Sequence, residues 1–348
     1  MKAKKIMALI LACALCASTF TGCGINKNAT AATMKDQTVT MGVANFLCRF
    51  EQASMEDLYK LYLGDSSDNI WARDLSGNGT TLEESTKTQA LEELHEMYTL
   101  QQHMSDYNVE ITDDDKAAIT EAAKKFMDAN SKEALDEMGA TQDIVEEILT
   151  LYTVKEKMKT AIEADADTNV SDEEANMRAY SMVTLDISDS SDDADKNKET
   201  AKKMEEALKA DGATLDKVAE DNDQEVTNGT YDADNDTLDE AVKKALDGLK
   251  EGETSGLIET DDKAYFVRID KDTDADATEK NRTSIINQRK DDLYQEVLSG
   301  WQEDDNWKVD EKAVKKIEFK NSFTQQDPNA STESTESTPS TENVESTQ

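Results

Sequence analysis

LDEAVKKALDGLKEGETSGLIETDDKAYFVRI, Leu238–Ile269, decides the fold class. Its first part predicts an amphipathic helix over Leu238–Leu246. Gly248 and Gly252 then mark a turn region. Ala264–Ile269 is aromatic and β-branched, which predicts a strand. Upstream, Tyr180-Ser181-Met182-Val183-Thr184-Leu185 predicts another strand. Helices are expected at Glu199–Lys209 and Leu215–Glu220, and a polar acidic loop at Asp221–Asp236. That order, strand, helices, helix, strand, is a compact α+β unit. Asp165–Thr168 reads as a linker into it, and Ser171 with Glu174 as a capping box at its entrance.

The flanks are helical. Val43, Phe46, Leu47, Phe50, Leu58, Leu61 and Tyr62 follow helical spacing after a short strand at Thr38–Met41. Thr81 and Glu84 form a capping box opening a long helix with Leu91, Leu94, Met97, Tyr98, Leu100 and Met104 on its apolar face. Thr112 opens the next helix, and Gly139-Ala140-Thr141 another, running through Met158. After Asp276 a long helix reaches Trp301, followed by a short element from Trp307 to Phe319. The only prolines are Pro328 and Pro339, so no proline interrupts these helices.

Composition removes whole classes of function. The 348 residues hold 38 Lys+Arg against 76 Asp+Glu, a net charge of −38. Nucleic-acid binding needs a basic surface that releases phosphate counterions, so no nucleic-acid partner is expected. No phosphate-loop or dinucleotide fingerprint occurs. The two histidines, His95 and His103, lie eight apart on one predicted helix, off the i, i+4 spacing of a shared metal. Neither acidic run, from Asp232 or from Asp270, has the Gly and Glu an EF-hand loop requires. No metal and no cofactor is expected.

The amino terminus reads as an address. Lys2, Lys4 and Lys5 precede an apolar run, Ile6–Ala17, too short to span a bilayer. Phe20-Thr21-Gly22-Cys23 resembles the lipobox of bacterial lipoproteins, which implies lipid attachment at Cys23, with Phe20 in place of the usual Leu. Cys13 and Cys16 fall in the signal, so Cys48 remains alone and no disulfide framework is expected. From Thr324 the chain turns to Ser, Thr, Glu and Gln repeats that cannot bury enough apolar area to order.

LEELHEMYTLQQHMSDYNVEITDDDKAAI (Leu91–Ile119), the block Met138–Ile162, NVSDEEA (Asn169–Ala175) and the opening stretch follow one another in an order similar to the SurA/PrsA-type foldases. The resemblance spans about Thr38 to Phe319. It implies an α+β architecture: a mainly helical SurA-N-like chaperone domain with an inserted parvulin-like peptidyl-prolyl isomerase domain. The expected division is 1–22 signal, 23–37 lipid-anchored tether, 38–168 helical domain and 169–275 parvulin-like domain. Residues 276–323 then complete the helical domain, and 324–348 form a disordered tail. Matching the family's isomerase site residue by residue puts Ser181 and Tyr265 where histidines usually stand. Leu238 and Val242 fall at the groove's usual Met and Phe, and Asp221 or Asp223 where an acidic or thiol group faces the prolyl amide. The glycine-rich turn is reduced to Asn228-Gly229-Thr230-Tyr231. With both histidines replaced, weak or lost turnover is expected.

The resulting expectation is a chaperone held on the extracytoplasmic face of a bacterial membrane. Its partners would be unfolded secreted polypeptides, with Phe46, Phe50, Tyr98 and Met104 lining a client cleft. An active isomerase is the first alternative. A solute-binding or adhesive lipoprotein is the second, disfavoured because the alternating strand–helix pattern of two-lobed solute binders is missing.

Overall fold

The computed structural model describes residues 15–17, 25–64, 69–232 and 237–325. Cys23, the rest of the expected signal segment and residues 326–348 of the expected tail lie outside them. In chain order the first elements are β1 (Leu15–Ala17), β2 (Thr30–Met34), β3 (Gln37–Thr40), α1 (Met41–Leu63) and α2 (Leu82–Gln102). Next come α3 (Asp113–Ala129), α4 (Lys132–Met138), α5 (Gln142–Glu163) and α6 (Asp172–Ala175). The middle of the chain contains β4 (Arg178–Asp186), α7 (Ala194–Ala207), α8 (Leu215–Asp221), β5 (Thr227–Tyr231) and α9 (Glu240–Gly248). The remainder is β6 (Ile258–Glu259), β7 (Lys263–Lys271), α10 (Ala275–Glu303), β8 (Lys308–Val309), α11 (Glu311–Val314) and β9 (Phe323–Gln325). The fold is α+β, mainly helical with small antiparallel sheets. Two compact units divide it: residues 1–164 with 294–348, and residues 165–293.

The first unit has one core built from two chain segments far apart in sequence. Phe46, Leu47, Leu94, Met97, Phe126, Val145, Leu149 and Leu151 share it with Ala313, Val314, Ile317 and Phe319. Its helices begin where hydroxyls accept the orphan first-turn N–H groups: Thr40, Thr81, Thr112 and Thr141 cap α1, α2, α3 and α5. Thr81 with Glu84, and Thr112 with Asp115, close full capping boxes. Cys48 is fully buried, and burial pushes its thiol up from 9.0 to about 12, so it acts as a small apolar side chain.

The expected tether, 23–37, needs correcting. Thr30–Met34 is a strand, with Ala31, Ala32 and Met34 fully buried. It sits between β3 and β8 in a three-stranded antiparallel sheet, Ala32 opposite Val309 and Thr33 opposite Lys308. Alanine has little intrinsic strand preference, so burial against a partner far along the chain decides its state. Phe323–Gln325 is likewise a strand where the expected tail begins; it pairs with Leu15–Ala17.

A polar stripe on α1 faces inward: Asn45 donates to the Met138 carbonyl at 2.7 Å, and Arg49, Gln52 and Glu56 fasten the carboxyl-terminal segment. Arg49 donates to Glu137 at 2.6 Å and to the carbonyls of Glu318 and Asn321 at 2.8 and 3.0 Å, and its guanidinium lies 4.9 Å from the Phe323 ring centroid. Gln52 donates to Glu56 at 2.6 Å and to the Asn321 carbonyl at 3.0 Å. Glu56 also accepts from the Trp71 indole at 3.0 Å and from the Phe323 backbone N–H. Further along, α2 is met by the same returning segment. His95 stacks on Trp307 and pairs with buried Asp305 at 2.6 Å, while His103 stacks on Trp301 and pairs with Asp106. Among the described residues no group of three potential ligands gathers for a metal, and no helix is long and apolar enough to cross a membrane.

The second unit is a four-stranded antiparallel sheet in the order β5-β4-β7-β6. Strand β5 lies within the stretch expected as an acidic loop. TNGTY is a weak strand sequence, and its edge position opposite β4 supplies the pairing that its composition does not. Each sheet face has its own small core. Val183, Leu185, Ala264 and Phe266 pack under α7 and α8; Tyr231, Val242, Leu246, Val267 and Ile269 form the other. Arg178 ties the second face together, donating to the Tyr231 hydroxyl at 3.0 Å, the Leu246 and Leu249 carbonyls at 2.9 and 2.6 Å, and Asp272 at 2.6 Å. At the unit's entrance the capping box is half-formed. Ser171 accepts from the Glu174 N–H at 3.1 Å, but the Glu174 carboxylate pairs with Arg289 instead.

Candidate functional site

Strand alternation sorts the site residues. Directly opposed residues of β4 and β7 point to the same face. Val183 opposes Phe266 and Leu185 opposes Ala264, under α7 and α8; Met182 opposes Val267 and Thr184 opposes Tyr265, on the α9 side. Leu238, Val242 and Tyr265 therefore come together, Leu238 at the margin and Val242 buried. Tyr180 and Met182 join them.

Ser181 does not. It opposes Arg268 on the other face. Its buried hydroxyl donates to Asp270 Oδ2 at 2.5 Å, has Asn228 Oδ1 at 2.9 Å and accepts from Arg268 at 3.1 Å. Arg268 also binds Asp216, and that contact holds the Asp216 carboxyl below its ordinary range. This is a closed polar lock rather than a reactive group. Asp221 ends α8, the helix on the same face as Ser181, and is exposed and paired with Lys217 at 2.5 Å. Asp223 lies in the following turn with φ of 54°. Tyr180, Met182 and Thr184 of β4 share a face with Tyr265, the first two each one residue from the expected Ser181. A one-residue shift moves a side chain to the opposite face of a sheet.

The α9 face is apolar and phenolic. Burial raises the hydroxyl pKa of Tyr180, Tyr231 and Tyr265 from 10.0, with Asp239 adding to the effect at Tyr265 and Arg178 opposing it at Tyr231. All three are neutral O–H groups near pH 7, able to donate a hydrogen bond but not to act as a base. Both histidines of the chain lie in the first unit. The face combines apolar side chains with phenol hydroxyls, and neither histidine of the chain is on it.

The cleft residues proposed for the helical unit also need correcting. Phe46 and Tyr98 are buried; Phe46 packs edge-on against Phe126 at 5.7 Å, and Tyr98 donates to Glu147 at 2.5 Å. Phe50 is half-buried on the same aromatic cluster, and Met104 is half-buried in a short 3-10 turn. Phe46 and Tyr98 are core and Phe50 packs against it, because helical periodicity marks the face that packs without saying against what. The sequence reading missed Met182, Tyr180 and Tyr231, for which strand alternation was the available signal.

Comparison with known proteins places these features. Residues 174–281 match the family model described as the PPIC-type PPIase domain. No curated protein sequence matches the chain. Among solved structures, the foldase protein PrsA from Lactococcus lactis is 16% identical, covering 83% of this chain and 97% of its own, with a TM-score of 0.33. PrsA from Streptococcus pneumoniae is 20% identical, covering 71% and 98%, at a TM-score of 0.30. A SurA-like chaperone structure from Campylobacter jejuni is 12% identical, covering 81% and 99%, at 0.28. Residues 174–281 are thus similar to a PPIC-type PPIase domain, and in sequence they lie between the two segments that make up the first unit.

Proposed function

We propose that the chain is a lipid-anchored, extracytoplasmic foldase that holds unfolded secreted polypeptides, and that its isomerase domain turns over weakly or not at all. The anchor rests on the lipobox-like Cys23. Two of the solved structures the chain is similar to are a foldase and a SurA-like chaperone, which supports unfolded polypeptide as the partner.

One observation carries the reading of weak turnover: the face that gathers Leu238, Val242 and Tyr265 holds Met182 and phenols, with no histidine. Rotation about an Xaa–Pro bond is slow because of its partial double-bond character. A binding site accelerates it only by holding the twisted amide better than the planar one. An apolar face with phenol donors and no imidazole offers little electrostatic preference for that geometry.

The test is a protease-coupled assay on a proline peptide beside refolding of an aggregation-prone secreted protein. The reading expects suppressed aggregation with a rate gain below about tenfold. A larger gain that Leu238→Ala or Tyr265→Ala abolishes would make the active isomerase correct instead.

A further inference from the structure

The first unit leaves an apolar surface uncovered. Among the described residues five large apolar side chains are exposed, and four fall within the last turns of α1: Leu58, Leu61, Tyr62 and Leu63. Leu58, Leu61 and Tyr62 stand at i, i+3 and i+4, one stripe of the helix. Leu61 and Tyr62 are 78% and 77% exposed. Beside them, Tyr59 and Lys60 of the same turns line a cavity of about 430 Å³ whose walls include Trp71 and Phe319. Tyr59 meets Trp71 edge-on at 5.8 Å, and Trp71 meets Phe319 at 4.9 Å, so an aromatic wall runs on from the stripe. Scattered exposed leucines are ordinary; a clustered set beside an aromatic-walled cavity marks a docking surface.

Charge selects the occupant. At −38, a second copy of this chain or an anionic lipid surface is repelled. Around the cavity itself Glu56, Glu83 and Glu318 outnumber Lys60 and Lys320, the latter paired with Glu318 at 2.5 Å, so the chain's overall charge supplies most of the preference. We infer that the end of α1 and the adjoining cavity bind an extended polypeptide segment whose apolar side chains are flanked by Lys or Arg. This rests on the chaperone reading and names where, and in what chemical form, the client is held.

The experiment uses the full chain and a fluorescent peptide alternating Leu and Phe between Lys-rich ends, with a Glu-flanked copy as control, read by anisotropy. Leu61→Ser with Tyr62→Ser is expected to weaken the Lys-flanked peptide by about tenfold or more. The Glu-flanked peptide is expected to bind more weakly than the Lys-flanked one, the gap narrowing as salt screens the charges. Unchanged thermal melting of the double variant establishes that folding is intact. Equal affinity of variant and wild type overturns the proposal. So does loss, in the variant, of self-association in sedimentation or of flotation with phosphatidylglycerol-containing vesicles while peptide binding persists. If the variant still suppresses aggregation as the wild type does, this surface is wrong and the chaperone reading stands. If the wild type neither binds the peptide nor suppresses aggregation, the chaperone reading itself fails.

Discussion

Each unit fastens its far end with one arginine, and the two do so under different conditions. Arg49, 1% exposed, reaches carbonyls some 270 residues away and pairs with a carboxylate that is itself nearly buried. Arg178 makes as many bonds, but at the edge of a small sheet, and its carboxylate partner Asp272 is largely exposed. A buried charge stripped of its partner has no water to replace it, whereas an edge one does. The helical unit is therefore closed by an interaction that tolerates no substitution, and the α+β unit by one that water can partly mimic.

Arg49→Met should be the most damaging change. Leaving the Glu318 carbonyl without its donor and the nearly buried Glu137 carboxylate without its cation is expected to cost about 3–5 kcal/mol. Trp71, Trp301 and Trp307 all belong to the first unit, so tryptophan fluorescence during urea unfolding isolates the effect. In the second unit, Gly229 lies directly opposite Tyr180, and a Cβ there would sit 2.6 Å from the Tyr180 ring. Gly229→Ala is expected to cost about 1–3 kcal/mol through that overlap, followed by tyrosine near-ultraviolet dichroism. Arg178→Met should cost about 1–2 kcal/mol by the same readout. A loss matching that of Arg49→Met would erase the contrast.

The smallest effect concerns pH. Burial raises the Glu56 carboxyl above its ordinary 4.5 despite the hydrogen bonds that oppose the shift. The folded chain then holds this proton to higher pH than the unfolded chain, so the contribution of Glu56 to stability is full below 4.5 and declines as pH rises through the raised value. Subtracting the pH–stability curve of Glu56→Gln from that of the wild type should leave this decline. A flat difference would show that Trp71, Gln52 and Phe323 offset burial completely.

Much of the architecture was legible because it was local. Thr81 with Glu84 announced α2, Thr112 announced α3, and the aromatic and β-branched run AYFVRI announced β7. Strands β2 and β5 were not legible, since Ala31, Ala32 and Gly229 have little strand preference and owe their state to partners elsewhere. At the site the composition was readable and the facing was not. Leu238, Val242 and Tyr265 share one face of the sheet, while Ser181 lies on the other, a single step along β4 from Met182. The apolar residues of α1 showed the same limit. One periodic run contains both Phe46, fully packed, and Leu61, fully outside, and only the place where the core stops separates them.

The pairing of β2 with β8 sets a timetable for a chain that emerges amino end first. Until Lys308 and Val309 arrive, Ala32 and Thr33 have no neighbour on that side, and the groups that Arg49 binds at 318 and 321 do not yet exist. The interposed α+β unit is complete by residue 293 and is free to mature during synthesis, while the helical unit waits for the last of the polypeptide to emerge.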